Sequence, residues 1–190
     1  MDKPQPAPPG RMKVDEFLAW AQEQPEGQRY ELEDGYVVTS SAGRVAHARV
    51  KGLVFLALRA AIAWAGLPCE ALPDGPAVPV DEWTTWEPDA LVRCGEPLPR
   101  DTVRVTDPVM VVEVQSPSTG TREVTTKLVD YFRIPSVRHY LIVHPGERAV
   151  VHHARAEGET GIATQIVGSG PLRLDPPGLE LDVVALFAGV

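Results

Sequence analysis

Val109-Met110-Val111-Val112-Glu113-Val114 is an apolar run broken by one carboxylate. Such a run, rich in β-branched residues, reads as a central strand covered on both faces. It demands strand neighbours on each side and layers above and below. It also constrains Glu113. A buried carboxylate without a partner costs on the order of several kcal/mol or has its pKa driven upward. The surroundings must supply a cation, a hydrogen-bond donor or a metal. On this residue alone, a buried Glu–Arg pair or an edge strand with Glu113 in water explains the pattern equally well.

The flanking sequence supplies the layers. Val14 to Gln22 suits a short helix, with Asp15 and Glu16 at its positive end. Tyr30-Glu31-Leu32 and Tyr36 to Thr39 read as strands joined at Asp34-Gly35, a hairpin signal. Between about Arg44 and Ala65, apolar residues from Val50 to Ile62 recur at three- and four-residue steps. This predicts one long helix with a buried stripe, stopped by Gly66 and Pro68. Pro88 to Val92 reads as a strand that opens on Pro-Asp. Ser116 to Gly120 breaks the chain after the central strand, and Glu123 to Arg133 is a second amphipathic helix, with Val124, Leu128 and Phe132 expected to face the core. His139 to Val143, Ala149 to His152, and Thr164 to Val167 follow as strands. The order predicts an α/β (α+β) domain with a mixed central sheet flanked by helices.

Length and composition fit one domain: 190 residues, 44% hydrophobic and 23% charged. Residues 1 to 13 read as a flexible Pro-rich lead-in and 14 to 190 as the domain. The lead-in lacks the apolar stretch of a secretory signal, and no apolar run approaches the ~20 residues of a membrane span. Cys69 and Cys94 have neither metal-type spacing nor the number for a disulfide framework, so a reducing cytoplasm is the simplest setting. The net charge of −8 argues against a broad basic surface for nucleic acid, though not against a local basic groove.

Asp89 gives Glu113 a companion. Two carboxylates on neighbouring strands of one sheet suit a hard divalent cation, and Mg²⁺ takes one or two carboxylates plus water. A plain Pro-Asp turn is the rival explanation of Asp89. Glu123, Lys127 and Tyr131 share one helix face at four-residue steps, which places Lys127 at the core boundary, within reach of the Glu113 strand. A solvated Glu–Lys helix pair is the rival there.

Several segments together carry a resemblance: Glu87 to Val92, Val111 to Thr119, Lys127 to Tyr131, and Val137 to Val143. They resemble the Uma2 family of bacterial proteins, restriction-endonuclease-like members of the PD-(D/E)XK nuclease superfamily. Tyr30 to Gly35, and the tail Gly178 to Leu181 with Leu186-Phe187, extend the likeness. The resemblance implies Asp89 and Glu113 as ligands of Mg²⁺ or Mn²⁺, and Lys127 as the catalytic lysine. The usual lysine position, two residues after the strand glutamate, holds Gln115 here, so Gln115 is only a supporting residue. Glu31 is implied as an accessory catalytic carboxylate, with Tyr131 and His47 in support. His144 and Glu123 depart from residues common in the family.

The expected activity is metal-dependent hydrolysis of phosphodiester bonds in nucleic acid, with DNA as the substrate and a homodimer by analogy with related nucleases. A non-catalytic binding or regulatory module on the same fold stays open. A histidine-based metal hydrolase is weaker, because His47, His139, His144, His152 and His153 show no metalloprotease spacing. Trp83 and Trp86 read as packing or loop anchors.

Overall fold

A computed structural model describes residues 10–25, 28–39, 44–116, 120–156 and 161–189. The expected break at Pro117 to Thr119 and the lead-in's residues 1–9 lie outside them. Helix α1 spans Val14–Gln22, and strands β1 (Tyr30–Glu33) and β2 (Tyr36–Thr39) form the predicted hairpin. Asp34 and Gly35 both take positive φ, 49° and 84°, as a tight Asp-Gly turn requires. A Cβ at Gly35 would also stand 3.0 Å from Arg11 and 3.2 Å from Trp83, so the turn closes against its neighbours. The stretch from Arg11 to Lys13, assigned by sequence to the lead-in, is tied to this turn. Met12 is buried and its N–H donates to Gly35, while Arg11 pairs with Asp34.

Helix α2 (Val45–Ala65) ends on Gly66 in the left-handed conformation, the expected stop. Its buried stripe is Val50, Val54, Leu58 and Ile62. Four strands follow: β3 (Cys69–Pro73), β4 (Val78–Pro79), β5 (Thr85–Trp86) and β6 (Ala90–Cys94). Next come β7 (Met110–Val114), α3 (Thr121–Arg133), β8 (His139–His144), β9 (Ala149–Arg155) and β10 (Ile162–Val167). A hairpin of β11 (Pro171–Leu174) and β12 (Leu179–Asp182) precedes a 3₁₀ turn, Val184–Phe187.

The main sheet runs β10-β9-β8-β7-β6-β3, and the hairpin sheet β2-β1-β5-β4. Only β7 and β8 pair in parallel within the main sheet, and α3 is the crossover between them. The apolar run is thus a central strand, as its composition requires. Alternation splits its side chains between two cores. Met110, Val112 and Val114 join α2 and the C-terminal hairpin, while Val111 joins Tyr131 of α3. Helix α3 buries Lys127, Asp130 and Tyr131, whereas Val124, Leu128 and Phe132 are only partly buried. The core-facing stripe is therefore turned one residue from the expected one. The polar residues go inward because each finds a partner, as the site geometry shows.

Cys69 and Cys94 correct a second expectation. They are register partners on β3 and β6 and form a disulfide. The argument for a reducing compartment from unpaired cysteines therefore falls away. Among the described residues no helix is long and apolar enough to cross a membrane.

Three histidines, His139, His152 and His153, are buried on β8 and β9. Gln165 donates to His152 Nδ1 at 3.0 Å, His152 Nε2 meets His139 Nδ1 at 2.9 Å, and His139 Nε2 meets the Pro176 carbonyl at 2.8 Å. One consistent set of neutral tautomers satisfies the chain: each ring donates from Nε2 and accepts at Nδ1. Burial, reinforced by His139 and His153, pushes His152 down to about 4. Burial also lowers His139, with Arg138 adding to the effect and the Pro176 carbonyl and Asp175 opposing it. The unfolded chain therefore takes up the proton first as pH falls. The stability held by neutral His152 is complete above about pH 6.5 and is lost as pH drops toward 4. The urea midpoint should fall across that window. His152→Phe should cost about 1–2 kcal/mol at pH 7 through lost hydrogen bonds, yet show a shallower acid decline.

Candidate active site

Strand β6 runs antiparallel to β7, with Ala90 opposite Val112. Continuing that register sets Asp89 beside Glu113 at the sheet's end. Asp89 is fixed by its backbone neighbour: its Oδ2 accepts the Val114 N–H at 2.7 Å. The expected pair of adjacent carboxylates is present, although Asp89 stands just before the strand rather than within it.

Helix α3 brings the cation. Lys127 Nζ lies 3.1 Å from Glu113 Oε1 and 3.0 Å from Glu31 Oε1. One turn on, the Tyr131 hydroxyl donates to the same Glu113 oxygen at 2.8 Å. Glu123 touches Lys127 from the rim at 3.8 Å. The i, i+4, i+8 face proposed from sequence is therefore the face that meets Glu113. Lys127 also sits over the Trp86 ring at 5.1 Å, and the Trp86 indole N–H donates to Asp130 at 3.0 Å. Trp86 is a buried wall of the site, and Trp83 stacks under Arg11, so both tryptophans are anchors.

Glu31 comes from the hairpin sheet. It accepts the Glu87 N–H at 3.1 Å, which locks β1 to the segment leading into Asp89. His47 Nε2 is 3.9 Å from Asp89, and its buried Nδ1 has no partner; burial lowers its pKa, so the ring is neutral. Gln115 uses its backbone N–H on Val143, and it does not line the cleft.

Four site residues escaped the sequence reading. Lys51 Nζ sits 2.8 Å from Asp89 Oδ1 and 2.5 Å from Asp74 Oδ2. Arg29 reaches Glu87 at 2.8 Å, Asp74 at 3.0 Å and Asp89 at 3.8 Å. Lys51 follows His47 by four residues on α2, so helical spacing carried a signal for it. Arg29, Asp74 and Glu87 lie in irregular or turn-rich stretches with no periodicity to read. Arg122 also lines the cleft, while Arg93, Arg104 and Arg133 pair elsewhere with Asp107, Asp15 and Asp81.

Arg29, Glu31, His47, Lys51, Glu87, Asp89, Glu113, Arg122 and Lys127 line a cavity of about 510 Å³. Three cations, Arg29, Lys51 and Lys127, face six carboxylates: Glu31, Asp74, Glu87, Asp89, Glu113 and, from the rim, Glu123. The cluster is short of positive charge. Glu113 responds first to its burial. Burial, with the negative charges of Asp89 and Glu31 outweighing Tyr131, pushes it up to about 7 despite Lys127. Burial opposes the charge of Lys127, but Glu113 and Glu31 outweigh it and raise its pKa. Among the described residues no group of three or more His, Cys, Asp or Glu side chains is preformed to hold a metal ion. The donor set nonetheless suits one. Its atoms are carboxylate oxygens, which hard divalent cations prefer, and ammonium groups already stand on them as surrogate cations.

Comparison with known proteins bears on the family and the fold. The sequence model of the Uma2 family, described as "Putative restriction endonuclease", matches residues 14–185. The crystal structure of a "putative nuclease belonging to DUF820" from Anabaena variabilis has the same fold. Its TM-score is 0.73 at 15% identity, and the match covers 93% of this chain and 98% of that one. No curated protein matches the sequence significantly. Matched over most of its length by the family model and carrying a nuclease-like fold, this chain belongs to the Uma2 family.

Proposed function

We propose that the protein is a divalent-metal-dependent endonuclease that hydrolyses phosphodiester bonds in DNA. The observation that carries this reading is the convergence of Glu31, Asp89 and Glu113 with Lys127 in one open cleft whose carboxylates outnumber its cations. Membership of a family described as "Putative restriction endonuclease" supports the reaction class.

Asp89 and Glu113 would hold Mg²⁺ or Mn²⁺, with Glu31 adjacent. The ion supplies Lewis-acid polarisation of a phosphoryl oxygen. The chain's own groups do the positioning. The Val114 N–H and Tyr131 hydroxyl fix the two carboxylates, so little reorganisation is left for the reaction. Lys127, held charged by two carboxylates, stabilises negative charge developing on the phosphate or orients the attacking water. Arg29 and Arg122 in the cleft wall offer charge to flanking phosphates.

A second reading, a non-catalytic binding module, is favoured by one observation. Both Asp89 oxygens are already engaged, one by Lys51 and one by the Val114 N–H. Cleavage of supercoiled and linear DNA with Mn²⁺ or Mg²⁺ separates the two. The nuclease reading expects nicking that Glu113→Ala abolishes and Lys127→Ala slows by about a hundredfold or more. Equal behaviour of wild type and Glu113→Ala on every substrate would leave the binding module as the better account.

The same crowding predicts opposite stability effects. With metal removed by chelator, Glu113→Gln should raise the unfolding free energy by on the order of 1 kcal/mol, because it removes a repelled charge. Lys127→Met should lower it by roughly 3 kcal/mol, because Glu31 and Glu113 lose their shared cation. Urea denaturation of the three proteins at pH 8 measures both.

A further inference from the structure

Lys51 is placed unlike the other cations of the cleft. Its Nζ lies between two carboxylates, Asp89 Oδ1 at 2.8 Å and Asp74 Oδ2 at 2.5 Å, and its side chain is 13% exposed. Asp89 belongs to the innermost group, and its side chain is 8% exposed. Asp74 sits just beyond the end of β3 at the rim, 36% exposed, with Arg29 also on it at 3.0 Å. An ammonium group that already touches both can give up Asp89 and keep Asp74 with a small rotation of its four-carbon stem. Lys127 differs in degree: its two close partners, Glu31 and Glu113, both belong to the inner cluster, and its exposed partner, Glu123, stands farther off at 3.8 Å.

Asp89 Oδ2 is committed to the Val114 N–H, so Oδ1 is the oxygen open to exchange. The cation nearest that oxygen is Lys51 at 2.8 Å, with Arg29 farther off at 3.8 Å. We propose that Lys51 is an internal counter-ion that a divalent metal displaces from Asp89, with Asp74 as the berth to which it withdraws. The exchange rests on the reading of Asp89 and Glu113 as metal ligands. It explains how one carboxylate can be fully paired yet serve as a ligand: the lysine holds Asp89 in place and lowers the cost of its negative charge until a stronger cation takes over. It also sets metal affinity below what the carboxylates alone would give.

A purely structural salt bridge makes the opposite prediction. If Lys51 only orders Asp89, its removal disorders a ligand and weakens metal binding. If it competes with the metal, its removal strengthens binding. Simple through-space repulsion is a third account. It is separated by Asp74, which acts through Lys51 in the exchange but acts directly on the metal in the Coulombic account.

The experiment is calorimetric titration of Mn²⁺ into wild type, Lys51→Met, Asp74→Asn and the double variant, at fixed ionic strength. Lys51→Gln serves as a second form that keeps a donor near Asp89, and urea denaturation checks that each protein is folded. The exchange predicts about tenfold tighter Mn²⁺ binding in Lys51→Met, and severalfold weaker binding in Asp74→Asn, where Lys51 has only Asp89 to hold. It predicts no effect of Asp74→Asn in the Lys51→Met background. Unchanged or weaker binding in folded Lys51→Met and Lys51→Gln overturns it, as does an Asp74 effect that persists without Lys51. Glu113→Ala keeps the two readings apart. If wild type binds Mn²⁺ and Glu113→Ala does not, the metal site stands and the lysine variants judge the exchange alone. If neither wild type nor Lys51→Met binds Mn²⁺, the metal site itself is refuted and the exchange falls with it.

Discussion

Lys127 Nζ reaches carboxylates from two different sheets, Glu31 on the hairpin sheet and Glu113 on the central strand of the main sheet. Those sheets share no ladder, so this buried ammonium and the Glu87–Glu31 hydrogen bond carry much of the register between them at the cleft. The arrangement accounts for the orientation of α3. A helix with Val124, Leu128 and Phe132 available for packing instead turns Lys127, Asp130 and Tyr131 inward. That choice would be costly if any of the three lacked a partner. Each has one: Glu31 and Glu113 for Lys127, Glu113 for Tyr131, and the Trp86 indole for Asp130. The helix is held by polar pairing on one stripe and apolar packing on the next.

The same logic explains why so much charge gathers in an otherwise ordinary domain. Parallel pairing of β7 with β8 requires a crossover, and α3 supplies it. The strand's end therefore lies under a helix, with α2 on the other face of the sheet. Ends of sheet strands beside such crossovers form crevices, and here the hairpin sheet walls the crevice on a further side. Asp89, Glu113 and Glu31 meet there because three separate backbone segments end or turn at one place.

Much of this was legible from the sequence. Glu113 was conspicuous because it broke an apolar run, and that reading needed only the cost of burying a charge. Lys127 and Tyr131 followed from helical spacing. The hairpin followed from Asp34-Gly35, whose positive φ values few residue pairs accept. What stayed hidden depended on register across strands. Strand β3, with Cys, Glu and Pro among its five residues, offers no alternating pattern, so its pairing with β6 and the Cys69–Cys94 link were out of reach. Asp74 follows directly from β3, so it was hidden for the same reason. Lys51 was concealed differently: its helix reads as amphipathic, and a lysine beside the buried stripe looks like a solvated flank until Asp89 is placed opposite it.

A net charge of −8 seemed to weigh against a polyanionic partner. The structure changes what that number means. Several surface acids are paired at a distance from the cleft, as with Asp107, Asp15 and Asp81, so they say little about the field inside it. Inside, carboxylates outnumber the cations that pair with them. On the nuclease reading, the cleft repels phosphate until a divalent ion is present, and then presents Arg29, Lys127 and Arg122 to it with the inner carboxylates neutralised. Acidity of the chain then becomes a condition on the order of events, metal before nucleic acid, rather than an argument against nucleic acid.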